Sequence, residues 1–265
     1  MEQVLRQTRL PNEPADYLAK REELRLAEIE LMRHCERVAA LRRKLPPGAV
    51  VMDYLFEEGP ADLDAGDTPV RTVSLSELFT GPDRTVVIYH FMYGKKQITP
   101  CSMCTSLIDG FNGVADHIAQ NIDLAIVAAA DPFRLRDYAR KRGWHKLRLL
   151  GGAKSAFKFD LNSEDAEGNQ DAAISVFIRD RHRRLRHFYT SHPWMATDLK
   201  ERGLDLLSPI WNLLDLTPQG RDNWYPKIDY GTPLQPSGFW RQHAMMPRVQ
   251  GSTEIPERIS GRTRA

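Results

Sequence analysis

The sequence is short of cysteine, of long apolar runs and of any large excess of one charge. Its three cysteines, Cys35, Cys101 and Cys104, are too few for the disulfide scaffold of a small secreted protein. The longest apolar runs, such as residues 124–130, are far shorter than the roughly 18–20 residues of a membrane-spanning helix. A formal net charge of +2 gives no global electrostatic argument for nucleic acid. These absences predict a cytoplasmic protein with no membrane partner and no specific nucleic-acid partner.

The first residues and the composition agree with that expectation. Residues 1–12 contain charges and a proline where a signal peptide carries a continuous apolar stretch, so we expect no secretion. The hydrophobic share of 42% and the charged share of 27% are close to ordinary globular usage. A chain of 265 residues is therefore long enough for one large α/β domain with appendages.

Residues 14–45 are predicted to form one long helix, which the Pro46-Pro47-Gly48 sequence ends. Apolar residues recur every seven positions, with smaller ones beside them: Tyr17, Leu24, Leu31, Val38 and Leu45, flanked by Ala27, Cys35 and Leu41. At 1.5 Å per residue the helix would extend roughly 45 Å, longer than a small domain is wide. It defines a helical arm over residues 1–47, which either lies along its own domain or forms a homodimer.

The middle of the chain alternates strands and helices. Residues 85–93 are β-branched and aromatic without clean alternation, which is typical of a strand buried on both faces. A second such strand, residues 123–130, follows a helix that contains two of the cysteines. The later elements are a helix at 132–142, a hairpin of strands at 174–179 and 185–190, and a closing helix at 195–214.

This order predicts an α/β protein with a thioredoxin-like mixed sheet flanked by helices. The thioredoxin-like domain would occupy residues 48–230, with short strands and turns over 49–79 and a short helix headed by Ser76. Residues 231–265 contain Gly, Pro and scattered Arg with few apolar anchors, so we expect an extended or disordered tail.

The strongest chemical signal is the Cys101-x-x-Cys104 dithiol directly after the first buried strand. A thiol at a helix N-terminus faces partial positive charge and unpaired N–H groups, which favour its thiolate. Lys95 and Lys96 precede it and could add to that field. Cys104 follows one helical turn later. We therefore interpret Cys101 as the attacking nucleophile and Cys104 as the resolving thiol that closes the disulfide.

Other interpretations of the dithiol stay open. A structural zinc site needs four ligands, and His90 and His117 could complete one only if the fold brought them together. A peroxidase loop of the peroxiredoxin kind has a proline seven residues before its cysteine, which neither Cys101 nor Cys104 has. The pair could also simply pack in the core.

Two further side chains near the dithiol in sequence are candidate supporting groups. His90 is either a satisfied buried histidine or a proton acceptor for the dithiol. Asp109 either caps a kink at Gly110 or acts as a buried base. Residues 179–187, which hold five arginines and two histidines, are either a solvated hairpin tip or a patch for an anionic partner.

The sequence also resembles a known family over roughly residues 14–230. The matching segments are RRKLP at 42–46, Tyr54, Phe56, Gly59, Pro60, VSL at 73–75, LF at 78–79, YHFM at 89–92, the two cysteines, DGFNG at 109–113, GW at 143–144, SVF at 175–177 and LDLTPQGR at 214–221. They resemble the domain-of-unknown-function 899 family, thioredoxin-like proteins described as predicted dithiol-disulfide oxidoreductases. The resemblance implies that fold and a redox role for Cys101 and Cys104.

The sequence departs from these patterns at three places. Residues 94–100 carry two lysines in place of the acidic character of many members, and residues 189–195 differ from the family's Tyr-Ser-Thr-Tyr-Ala-Arg-Gly stretch. Thioredoxins carry a cis-proline before the third core strand, where this chain has residues 170–173, QDAA. That proline helps to hold an extended peptide against the disulfide, so its absence favours a smaller or dedicated substrate.

These observations predict a thiol-disulfide oxidoreductase that acts through Cys101 and Cys104, without a bound cofactor or metal, on an unknown thiol or disulfide substrate. The alternatives are a thioredoxin-like binding or redox-sensing protein without turnover, and a zinc-binding CxxC.

Overall fold

The computed structural model describes residues 10–199, 202–221 and 224–230. The chain divides into one unit that ends at Pro226 and another that starts at Lys227. The tail expected over residues 231–265 lies outside the described residues. The α-helices are α1 (Ala15–Arg43), α2 (Ser102–Gly113), α3 (Ala115–Ile118), α4 (Pro132–Arg142), α5 (Phe157–Asp160) and α6 (Pro209–Asp215). The strands are β1 (Leu55–Glu58), β2 (Arg71–Ser74), β3 (Val86–Gly94), β4 (Asp123–Ala129), β5 (Arg148–Gly151), β6 (Ala173–Arg179) and β7 (Leu185–Ser191).

Seven strands form one mixed sheet in the order β2-β1-β5-β4-β3-β6-β7. Strands β3, β4 and β5 run parallel, and β6 pairs antiparallel with both β3 and β7. The unit β3-α2-β4-α4, followed by the β6–β7 hairpin and α6, is the thioredoxin-like arrangement. The predicted fold class is confirmed.

Strand β3 lies inside the sheet and separates two hydrophobic cores. Tyr89 and Phe91 pack on the face that holds α2 and Cys104. Ile88 packs with Phe157 on the opposite face. Because both faces are buried, apolar residues run through β3 without alternation.

The closing helix predicted over residues 195–214 is wrong. Residues 195–199 form bends and turns, Arg202–Leu207 is a 3₁₀ helix, and α6 begins only at Pro209. Proline suits the first position of a helix, and the Ser208 side chain accepts from the Trp211 N–H at 3.5 Å, so a separate helix starts there.

Short elements were also misplaced or missed. The helix expected after Ser76 is a 3₁₀ turn, Leu75–Leu78, that starts two residues earlier because the Glu77 carboxylate accepts from the Ser74 N–H at 2.7 Å. Strand β5 and helix α5 have four residues each, too few for a periodic signal.

Helix α1 confirms the predicted long N-terminal helix, and none of its residues is buried. The stripe residues Tyr17, Leu24 and Leu31 are each more than half exposed. Near its end, the Arg42 guanidinium lies 5.4 Å from the Tyr189 ring centre on β7. A second α1 packed against this stripe would cover its exposed apolar side chains. The homodimer through α1 stays a prediction. Within the described ranges, each helix is too short or too polar to span a bilayer.

We expect the double variant Leu24→Glu, Leu31→Glu to dissociate that dimer, since it places charges in the seam of the two helices. Light scattering over a dilution series measures the molar mass. Leu26→Glu is the matched control, because Leu26 is also more than half exposed but lies off the stripe. A wild-type protein that is monomeric at all concentrations would contradict the prediction.

Candidate dithiol site

Cys101 and Cys104 lie where the chain turns back at the end of β3. Gly94 has a φ of 102°, and a Cβ there would lie 2.1 Å from the Ala129 carbonyl oxygen, so the turn requires glycine. Gly94 and Gln97 exchange two backbone hydrogen bonds of 2.8 and 2.9 Å. The turn returns the chain to β3, where the Cys101 N–H donates to the Met92 carbonyl at 3.1 Å.

Cys101 is the N-cap of α2, as its position after a strand predicts. The Cys104 N–H donates to Cys101 Sγ at 3.4 Å, and the Thr105 hydroxyl donates to the Cys101 carbonyl at 2.9 Å. Cys101 is half-buried, whereas only 1% of Cys104 is exposed. Solvent therefore reaches the first thiol and is excluded from the second.

The two thiols also differ in electrostatics. The pKa of Cys101 is lowered to about 6, chiefly by the Cys104 thiol and also by the backbone N–H of Cys104 and the Tyr225 hydroxyl, against the opposing effect of burial. The pKa of Cys104 is raised well above its ordinary value by burial and then by the neighbouring Cys101. Cys101 thus favours the thiolate and Cys104 the thiol.

Two tyrosines complete the polar surroundings, and neither was singled out in the sequence. The Tyr225 hydroxyl lies 3.9 Å from Cys101 Sγ. The buried Tyr89 hydroxyl makes no hydrogen bond to nitrogen or oxygen among the described residues and interacts with the Cys104 thiol. Tyr89 belongs to the YHFM segment, but the sequence gives no sign that Tyr225, 124 positions from Cys101, would reach the site.

A buried lysine is the third group that sequence reasoning missed. Lys158 on α5 is only 1% exposed, and its Nζ donates to the Phe91 carbonyl at 3.0 Å. Burial lowers its pKa to about 8, and Cys104 is the first of the groups that oppose this. A lysine between two phenylalanines carries no sequence signal of burial.

His90 lies on the other face of β3 from the dithiol. Its ring stacks on Phe157 at 4.9 Å between centroids. Nδ1 lies 2.6 Å from the Ser163 hydroxyl and Nε2 lies 2.9 Å from the Ser175 hydroxyl. Burial lowers its pKa well below the ordinary value, so the ring is neutral. This is the placement of a satisfied buried histidine, and it does not bring His90 to Cys101 or Cys104.

Asp109 ties α2 to the end of α4. Its carboxylate forms an ion pair with Arg142 and accepts from the Trp144 indole N–H at 2.7 Å. Helix α2 runs through Gly110 without interruption. Because its carboxylate is held by these partners, Asp109 has a structural role here and is not placed as a base for the dithiol.

The two lysines before the dithiol point to other partners or to solvent. Lys95, at a φ of 48°, forms an ion pair with Glu164, and Lys96 is exposed. The groups that lower the pKa of Cys101 belong to Cys104, Tyr225 and the first turn of α2.

Among the described residues, no group of three or more His, Cys, Asp or Glu side chains is arranged so that it could hold a metal ion. His117 lies on α3, and His90 is bonded to the two serines. Cys35 is exposed on α1.

The arginine-rich segment of residues 179–187 forms a hairpin tip. Asp180 accepts from Arg184 and Arg186 at 2.9 and 2.8 Å there.

A family model described as "Bacterial protein of unknown function (DUF899)" matches residues 7–244. The chain belongs to this family. The resemblance drawn from its motifs is thereby confirmed, and no curated protein matches the chain.

Solved structures to which the chain is similar include two AhpC proteins and a peroxidoxin. AhpC of Mycobacterium tuberculosis is 17% identical, with a TM-score of 0.43 over 68% of this chain and 99% of its own. AhpC of Enterococcus faecalis is 10% identical, with a TM-score of 0.42 over 61% of this chain and 87% of its own. Peroxidoxin BcpB of Mycobacterium tuberculosis is 17% identical, with a TM-score of 0.39 over 62% of this chain and 94% of its own.

We expect Cys101 to be alkylated by iodoacetamide with a pH midpoint near 6, because only the thiolate reacts. Tyr225→Phe should raise the midpoint, since it removes a hydrogen bond to the thiolate. Cys104→Ala should raise it further, since it removes the largest stabilising contact. Peptide mass spectrometry measures each cysteine, with exposed Cys35 as the reference. An equal midpoint in all three proteins would refute this account of the site.

Asp109→Asn is expected to lower the free energy of unfolding by about 1.5 kcal/mol, because a charged hydrogen-bond acceptor for Arg142 and Trp144 is lost. Its Cys101 alkylation profile should match that of the wild type. Urea unfolding of the reduced protein measures the first quantity. A shifted alkylation midpoint with unchanged stability would instead favour the buried-base hypothesis.

Proposed function

We propose that the protein is a cytoplasmic thiol-disulfide oxidoreductase in which Cys101 attacks and Cys104 resolves. One observation carries the proposal: a half-buried thiol of lowered pKa lies at a helix N-terminus, one turn before a buried thiol of raised pKa. An inert packed pair has no need of this difference, whereas dithiol exchange uses it.

The reaction consists of two exchange steps. The Cys101 thiolate attacks a substrate disulfide R–S–S–R′, which forms Cys101–S–S–R and releases R′–S⁻. Cys104 then loses its proton and attacks Cys101 Sγ, which closes the Cys101–Cys104 disulfide and releases R–SH once the leaving sulfur takes up a proton. Two electrons pass from the dithiol to the substrate, so a thiol reductant must restore the dithiol.

The site favours a small or dedicated substrate. Residues 170–173, which lead into the start of β6, contain no proline, so the support that thioredoxins give to an extended peptide is missing. Tyr225 lies against Cys101 and narrows the approach to it. Redox sensing without turnover uses the same disulfide and differs only in whether substrate is consumed.

In a glutathione titration, we expect a reversible Cys101–Cys104 disulfide in the range of about −180 to −270 mV typical of redox proteins. Alkylation traps the thiols and mass spectrometry locates them, with Cys35 as the internal control and metal content measured beforehand. Cys104→Ala should accumulate the mixed disulfide of Cys101 with glutathione, because no resolving thiol remains.

The outcomes separate the competing functions. A pair that stays reduced across that range, or that arrives with bound zinc, overturns the oxidoreductase. A disulfide that forms but turns over no low-molecular-weight disulfide and no protein disulfide in the presence of a thiol reductant favours a sensor.

A further inference from the structure

Lys158 is a buried cation without a carboxylate partner among the described residues. Glu164 and Asp171 are the acidic groups that act on it, but Glu164 is paired with Lys95, and neither forms an ion pair with Lys158. Its one hydrogen bond among those residues goes to the Phe91 carbonyl. Burying an ammonium group costs free energy, so a buried charge at Lys158 suggests a functional role.

The Phe91 carbonyl belongs to the same peptide group as the Met92 N–H, which lowers the pKa of Cys104. In a trans peptide these two groups point in opposite directions. The carbonyl of Met92 accepts from the Cys101 N–H at 3.1 Å, so the chain that carries the dithiol runs beside Met92. The last β3 residue paired with β6 is His90, and the pairing of β3 with β4 shifts between Phe91 and Gly94. The Phe91–Met92 peptide therefore lies at the irregular end of β3, with Lys158 on one side and the dithiol on the other.

We propose that Lys158 is a positioning residue for the resolving thiol: its ammonium polarises the Phe91–Met92 peptide and strengthens the N–H that faces Cys104 Sγ. The inference rests on the proposed function and concerns its second step. When Cys104 attacks the mixed disulfide, its proton goes to the leaving thiolate or to water. Negative charge develops on Cys104 Sγ before the new S–S bond forms, and the Met92 N–H stabilises that charge.

The influence is mutual. Burial opposes the charged forms of both groups, and the charge of Cys104 raises the pKa of Lys158. By linkage, the charge of Lys158 favours the Cys104 thiolate. The buried Tyr89 hydroxyl acts on the same sulfur in the same direction. Cys104, and not Cys101, is among the main groups that act on the pKa of Lys158, so the loss of Lys158 should affect the second step and spare the first.

The experiment follows both steps in one trace. Ellman's reagent reacts with Cys101, which releases one thionitrobenzoate and leaves the other bound as a mixed disulfide. Attack by Cys104 then releases the second. Stopped-flow absorbance resolves the two phases in a Cys35→Ser background, which removes the exposed third thiol.

Lys158→Met replaces the ammonium with an uncharged chain of similar length. We expect an unchanged first phase and a second phase slowed by roughly tenfold at neutral pH, as for a rise of about one unit in the pKa of Cys104. The rate should recover at higher pH, which lost packing alone would not produce. Lys154→Met is the matched control, since Lys154 is exposed and its removal changes the net charge equally.

A second phase equal to that of the wild type overturns the proposal, and so does an equal slowing of both phases. If the variant does not fold, the pH dependence of the wild-type second phase decides. Its rate should rise about tenfold per pH unit while Lys158 is charged, and less steeply as Lys158 loses its proton near pH 8. An unbroken rise of about tenfold per unit through about pH 8 overturns the proposal. Failure of the function itself is distinct, because then the wild type shows no second phase.

Discussion

The hydrogen bond from the Cys101 N–H to the Met92 carbonyl fixes the relation between the central strand and the helix that carries the dithiol. It forms because the chain turns sharply at Gly94, where the Ala129 carbonyl leaves no room for a side chain. Once Cys101 is held there, α2 begins at Ser102 and Cys104 falls one turn inside, against the β3 face that carries Tyr89 and Phe91. The exposure of one thiol and the burial of the other both follow from this one contact.

Burial and local hydrogen bonds divide the dithiol into two different thiols. Because the pKa of Cys101 is lower in the folded than in the unfolded chain, its ionisation stabilises the fold fully above about pH 8.5, and this stabilisation is lost as the pH falls through about 6. Cys104 behaves in the opposite way, since burial keeps it protonated. A single helix start thus produces a nucleophile and its protected partner.

Local sequence signals predicted the parts of the molecule that depend on neighbouring residues. The runs of β-branched residues predicted β3 and β4, and the cysteine spacing after a strand predicted the N-cap position of Cys101. The contacts of Lys158 and Tyr225 with the site join residues 67 and 124 positions apart, which no local pattern encodes. His90 and Asp109 show the converse: both are near the dithiol in sequence, but strand alternation turns one away, and Arg142 holds the other.

The same asymmetry bears on the redox poise of the pair. At pH 7, ionisation of a thiol with a pKa of about 6 stabilises the dithiol roughly tenfold more than that of a thiol near 8.5, or about 30 mV for a two-electron couple. Cys104 adds nothing to this balance, because it is protonated at pH 7 whether its pKa is ordinary or raised. The disulfide is therefore more oxidising than that of an unperturbed pair. The raised pKa of Cys104 instead slows the step in which Cys104 attacks and closes the disulfide. A group that eases the ionisation of Cys104 can then speed turnover without shifting the potential at neutral pH.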